Sequence, residues 1–372
     1  MAPTRRLDGI QWLRAIAAGF VVVEHSRNAI ASAYLGLSPA ASPLSLFPFS
    51  AGVDLFFVIS GFIMAYSSAP LFGREGGWRV FLLRRTARIV PLYWLTTSFM
   101  LVVFIAIGSP AWSGASFASL IASYAFLPAP NADGRPFPLF VIGWTLNYEM
   151  AFYAVFALFI GFRERTALLL TAATIVAIAA LGLLLAPVSL PLLFWSNPII
   201  LEFVAGIALH ALYRAGVLRF AGPVRFALAA LAIGVLVVHP DDPGLWRALV
   251  WGGPATLLVA VALAWSETSR SVAAASRADL AGDLSYAVYL AHMPAVLTLQ
   301  TALPALLPAA GWVWFGLFPA LVIIGTLASA TLLHRLVERP ILRAARRVSL
   351  PPPTEAGIRT PLPSCATGAS PN

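Results

Sequence analysis

Residues Ile10–Ile30 read IQWLRAIAAGFVVVEHSRNAI. As a helix this stretch extends about 32 Å at 1.5 Å per residue. That is enough to cross a hydrocarbon core of about 30 Å. Yet Arg14, Glu24 and His25 sit inside it. Ionisable groups at such depth are costly, and they survive where they face the interior of a helical bundle. The preceding residues are basic (Arg5, Arg6), and no clean small-residue cleavage site follows. The stretch therefore reads as a retained first membrane helix, not a signal peptide.

The rest of the chain agrees. Of 372 residues, 60% are hydrophobic and only 10% charged, with mean hydropathy +0.85. A soluble domain carries roughly 25% charged residues, so much of this surface has to meet lipid. The formal charge of +9 comes with no lysine at all. The arginines fall between apolar runs, which is the pattern of a membrane protein and not of a nucleic-acid-binding stripe. The single cysteine, Cys365, excludes a disulfide framework, a CxxC metal site and an intramembrane thiol nucleophile.

Ten apolar runs are long enough to span: Ile10–Ile30, Ser50–Ser67, Arg88–Gly108, Phe140–Gly161, Thr166–Ala186, Phe194–Tyr213, Pro223–Val238, Trp246–Trp265, Leu284–Pro304 and Trp312–His334. The expected fold is all-α, a polytopic bundle of about ten transmembrane helices. Arginine marks alternate connections: Arg5 and Arg6, then Arg74, Arg79, Arg84 and Arg85, then Arg163 and Arg165, Arg214 and Arg219, Arg270 and Arg277, and five between Arg335 and Arg347. The other connections hold Arg135 alone, with Arg27 and Arg247 at helix ends. Ten spans preserve this alternation and place both termini in the cytoplasm of a bacterial inner-membrane protein.

Ser116–Leu127 is too short to cross and is expected to be interfacial or re-entrant. The connection Ser109–Leu139 could shape an outer mouth. Residues 1–347 are read as one transmembrane domain and 348–372, rich in Pro, Ser, Thr and Ala, as a disordered cytoplasmic tail.

Arg14 and His25 lie eleven residues apart, close to three turns, on one helix face about 16 Å apart. Asp54 in the second run falls at similar depth to His25, where a carboxylate would fix the imidazole tautomer. Glu149 falls near mid-membrane. A lone membrane histidine is more often a packing hydrogen-bonder; with Arg14 on the same face and Asp54 at matching depth, catalysis by His25 becomes the stronger reading, and His25, Asp54 and Glu149 are expected to form the catalytic polar centre. Glu24 points elsewhere, and Glu202 has no evident partner. His292 either lines a route or supports a Pro294 kink. Arg85 and Arg88, three apart, present forked donors suited to phosphates, although by itself such a pair is more often a positive-inside anchor. No His/Cys/Asp cluster has metal-ligand spacing.

Six motifs in order resemble the acyltransferase-3 family of membrane O-acyltransferases: Arg14 and His25 with ten residues between, GVDLFFVISGF (52–62), Arg85-Thr-Ala-Arg88, GWTLNYEMAFY (143–153), LSYAVYLAHMP (284–294) and Val337-Glu-Arg-Pro340. The resemblance spans roughly 7–342 and is most similar to exopolysaccharide-production acetyltransferases of the succinoglycan type. It implies an acyl-CoA donor, usually acetyl-CoA, on the cytoplasmic side and a carbohydrate hydroxyl as acceptor. Arg85 and Arg88 would hold donor phosphates, with Arg14 positioning the donor and His25 as base or acyl carrier. Many relatives carry an appended extracytoplasmic domain. This chain shows none, so the expectation is that it acts alone or with separate polysaccharide-assembly proteins. The rivals are a transporter or flippase for a lipid-linked sugar, and a non-catalytic membrane partner. The lack of an evident internal repeat weighs modestly against an inverted-repeat transporter, and the co-occurrence of the His25 and Arg85/Arg88 elements weighs against both rivals through the family resemblance.

Overall fold

In the computed structural model the described residues are 7–34, 47–109, 116–131, 134–185, 189–266, 272–306 and 313–347. The tail expected at 348–372 lies outside them. The described elements are all helical: α1 (Asp8–Tyr34), α2 (Gly52–Ser67), α3 (Gly77–Ala106), α4 (Phe117–Tyr124), α5 (Trp144–Phe159), α6 (Glu164–Leu185), α7 (Leu190–Trp195), α8 (Leu201–Arg214), α9 (Gly222–Val238), α10 (Arg247–Val250), α11 (Gly252–Ser266), α12 (Val272–Leu306), α13 (Val313–Leu333) and α14 (Arg339–Arg346).

Among the described residues, seven helical stretches are long and apolar enough to cross a membrane: Phe49–Ser67, Gly77–Ala106, Val141–Phe159, Glu164–Leu185, Leu190–Arg214, Gly244–Ser266 and Gly316–Ala345. This is a polytopic helical membrane protein. α1, with 27 residues, and α12, with 35, exceed the length that a crossing needs. Their ionisable residues dilute their apolar character. α9 is apolar but has only 17 residues. Large apolar side chains stand exposed on outward faces, Leu158, Leu184, Phe226 and Val238 among them. Water would not tolerate so continuous an apolar exterior, and lipid does.

The bundle is built around α2. Two thirds of its span is buried (67%), against 22% for the peripheral α6. α1 packs along α12 and also against α2 and α11, while α2 packs against α8. The α2–α8 contact is close because it is made of backbone. A Cβ on Gly206 would stand 2.6 Å from the Phe62 nitrogen and collide with the Val58 carbonyl. A Cβ on Gly61 would collide with the Phe203 carbonyl. Small residues permit this approach, and dispersion between the two helices supplies the attraction. Phe57, Phe152 and Phe203 close the seam, with Phe152 stacked on Phe203 at 4.4 Å.

Two helices begin earlier than their apolar runs. α3 starts at Gly77 rather than near Arg88, so Arg84, Arg85 and Arg88 ride on the helix itself. α12 starts at Val272 rather than near Leu284 and continues through Pro294 as helix. Hydropathy marks the lipid-embedded part of a helix; good helix formers such as Arg, Ala and Leu extend it beyond. α4 has eight residues, too few to span. It is tied to α3 where Tyr93 Oη donates to the Ser123 carbonyl (3.1 Å) and Trp94 Nε1 to the Tyr124 carbonyl (2.9 Å).

Candidate active site

Four of the six expected site residues line one cavity of about 110 Å³: Arg14 from α1, Arg85 and Arg88 from α3, and Glu149 from α5. Ser60, Thr145, Tyr153, Tyr286 and Tyr289 complete its polar wall. Arg85 and Arg88 share a face because they are three residues apart on α3. Arg85 Nη2 donates to Ser67 Oγ at 2.6 Å. Arg88 Nη1 pairs with Glu338 Oε1 at 3.1 Å, and its guanidinium lies 6.0 Å from the Tyr286 ring centre. Arg88 Nη2 is buried without a hydrogen-bond partner among the described residues. Among the described residues Arg14 makes one long hydrogen bond, to Gln11 Oε1 at 3.4 Å.

Glu338 is set by an irregular turn. Residues His334–Glu338 form a single π-helical turn between α13 and α14, a distortion frequent at functional sites. The turn brings Glu338 Oε2 onto His334 Nδ1 at 2.8 Å while Oε1 faces Arg88. Glu149 receives two hydrogen bonds on the same oxygen, Oε1. One comes from Ser60 Oγ (3.1 Å) and a short one from the Tyr153 hydroxyl. Three guanidinium groups and one carboxylate thus line the cavity, a balance that favours an anion.

His25 and Asp54 lie elsewhere, and not together. Asp54 is fully buried, and both its oxygens are taken by Arg247, from Nε at 3.1 Å and Nη2 at 2.8 Å. Arg247 also lies 4.6 Å from the Trp251 ring centre. The expectation that Asp54 orients His25 is therefore corrected. Matched depth fixes only the height of a residue, and the bidentate fit of guanidinium to carboxylate decides the partner. The ring facing His25 is His292, with centroids 5.1 Å apart. His292 connects this pair to the cavity through Tyr289, whose ring is 5.9 Å away and which lines the cavity wall.

His292, Arg247 and Glu338 carry more of the arrangement than the sequence reading gave them. Arg247 had a signal: it was one of the few arginines on an otherwise bare side. His210 and His334 each bond a glutamate, Glu164 and Glu338. Among the described residues, no three His, Cys, Asp or Glu side chains are grouped to hold a metal.

The acyltransferase-domain family (Acyl_transf_3) matches residues 7–334. The chain belongs to the acyltransferase-3 family. Among acyltransferase-3 relatives and other curated proteins, it is 35% identical to the exopolysaccharide production protein ExoZ of Rhizobium meliloti (strain 1021), over 81% of this chain and 92% of that protein. It is 27% identical to the acyltransferase MdmB of Streptomyces mycarofaciens, over 92% of both. It is 30% identical to Protein 2 in picA locus of Rhizobium radiobacter, over 42% of this chain and 83% of that one. No solved structure matches the chain.

Proposed function

We propose that this membrane acyltransferase moves an acyl group, acetyl by preference, from acyl-CoA to a hydroxyl of an exported or surface carbohydrate. The observation that carries the reading is the arginine-lined cavity in a chain of this family. The similarity to an exopolysaccharide production protein supports the acceptor class. A cavity of 110 Å³ is well below the roughly 300–1,000 Å³ of a whole-ligand pocket. It suits the reacting arm of the donor, with the nucleotide phosphates held at its arginine rim. α1, α9 and α12 added to the seven apolar stretches give ten crossings. Both termini then lie in the cytoplasm of a bacterial inner membrane, and Arg85 and Arg88 lie on the donor side.

In this scheme the donor phosphates dock on Arg85 and on the uncommitted Nη2 of Arg88. Arg14 guides the acyl arm along α1 toward His25. An unprotonated nitrogen of His25 takes the proton of the sugar hydroxyl, whose oxygen attacks the thioester carbonyl. The C–S bond breaks, and the departing thiolate recovers the proton from His25. Glu149, whose Oε2 carries no hydrogen bond among the described residues, accepts one from a second hydroxyl of the acceptor.

The test compares acetyl-CoA with acetylpantetheine, which lacks the nucleotide phosphates, using purified protein and an oligosaccharide acceptor. Acetyl-CoA should be turned over at least about tenfold more efficiently, the worth of one charge-assisted hydrogen bond. Arg85→Gln and Arg88→Gln should erase that preference. Equal use of both donors would remove the phosphate role. No turnover with a panel of glycans would bring the transporter reading forward.

A further inference from the structure

The environment of His292 is built to leave one nitrogen without a partner. Its Nδ1 lies 2.6 Å from the Tyr289 carbonyl oxygen. A carbonyl only accepts, so Nδ1 bears the hydrogen and Nε2 is a bare lone pair. That Nε2 is buried and has no hydrogen-bond partner among the described residues, in a side chain with no solvent exposure. The carbonyl it binds is itself fixed. Tyr289 Oη bonds the Ile142 carbonyl (2.8 Å) and Thr145 Oγ1 (2.7 Å), pinning α12 to the start of α5. A buried acceptor with nothing to accept is unfavourable, and the ring that faces it is His25 at 5.1 Å. Two imidazoles joined by one N–H···N bond have centroids about 5 Å apart, a bond of roughly 2.9 Å plus two ring radii of about 1.1 Å. His25 makes no hydrogen bond among the described residues and is only partly buried. A small rotation of its ring would complete the bond.

We propose that His292 is the positioning residue of the acyl transfer, its Nε2 accepting the N–H of His25. This rests on the acyl-transfer reading and gives His292 the place that helix depth assigned to Asp54. The bond fixes the tautomer that leaves the other His25 nitrogen unprotonated toward the acceptor hydroxyl. When His25 takes the hydroxyl proton, it becomes an imidazolium whose second N–H still points at His292 Nε2. When the thiolate leaves, the proton returns to sulfur and the pair is restored. No proton resides on His292 Nε2 at any stage. It acts as a fixed acceptor, the part that a carboxylate plays in a catalytic triad.

The experiment compares His292→Phe, His292→Gln and His292→Asn. The Gln carbonyl reaches the position of Nε2, and the Asn carbonyl stops short of it. In acetyl transfer, His292→Phe and His292→Asn should lose about 10²-fold in kcat, the scale of a general-base contribution, with KM for acetyl-CoA unchanged. His292→Gln should retain most of the rate. A second readout needs no turnover: carbethoxylation of His25 by diethylpyrocarbonate, followed by peptide mass spectrometry. It should slow severalfold in the Phe and Asn variants and stay near wild type in Gln. Wild-type kcat and wild-type His25 labelling in a folded His292→Phe or His292→Asn protein would overturn the proposal. A wild-type protein without acyl transfer would sink the functional reading, and the labelling series would still decide the histidine pair.

Discussion

At the scale of single residues, the structure explains the exceptions to the arginine pattern. Arg27 and Arg247 sit where positive charge is scarce, and each is neutralised. Arg27 pairs with Glu24 at 2.8 Å and Arg247 with Asp54 at 2.8 Å. A charge in an unfavourable place is therefore a pointer to a buried partner, and the sequence carried that pointer for Arg247. It could not name the partner, because Asp54 is 193 residues away. Asp54 also occupies the first turn of α2, where a carboxylate complements the helix dipole. Asp54→Ala should destabilise the protein by about 3 kcal/mol, because Arg247 loses its buried bidentate partner and keeps only the longer ion pair to exposed Asp242 at 3.4 Å. Unfolding in detergent measures this. Asp54→Ala combined with Arg247→Ala should lose less than the sum of the two single changes. Specific activity of the folded Asp54→Ala protein should fall far less than that of His25→Ala, which separates a structural ion pair from a catalytic base.

At the scale of elements, helix existence was legible and helix ends were not. Apolar runs located the spans, but α3 and α12 extend 11 and 12 residues before the starts read from hydropathy, Arg88 and Leu284. The arginines of α3 thereby become fixed points on a rigid helix, and the cavity depends on that rigidity. The family resemblance singled out Arg85 and Arg88, which spacing alone reads as a positive-inside anchor, whereas Arg14 and Glu149 could be anticipated from depth, since helical geometry is regular. The His25–His292 contact could not, because it depends on how α1 and α12 rotate against each other, which no local pattern records. The π turn at His334–Glu338 is likewise invisible in composition. The α2–α8 seam offers a direct test of packing. Gly206→Ala places a Cβ 2.6 Å from the Phe62 nitrogen and should cost about 1–3 kcal/mol by forcing the helices apart. A thermal melt in detergent reads it, and an unchanged melting temperature would show that the seam is looser than described.

At the scale of the whole molecule, the family and the apolar exterior establish a multi-pass membrane acyltransferase, and the arginine alternation predicts its orientation. With Cys365 replaced by Ser, single cysteines at Glu75 and Asp241 should lie on opposite faces. Both positions are exposed. An impermeant maleimide added to intact cells should label Asp241→Cys and spare Glu75→Cys until the membrane is opened; the reverse pattern would invert the donor and acceptor sides. The central claim is that acyl transfer runs through His25 at the heart of the bundle. It is tested most directly with purified protein in liposomes, labelled acetyl-CoA and a glycan acceptor, wild type beside a folded His25→Ala. The account predicts mild-alkali-labile label on the glycan with wild type and a loss of at least about 10²-fold in His25→Ala. Undiminished transfer by His25→Ala would contradict it.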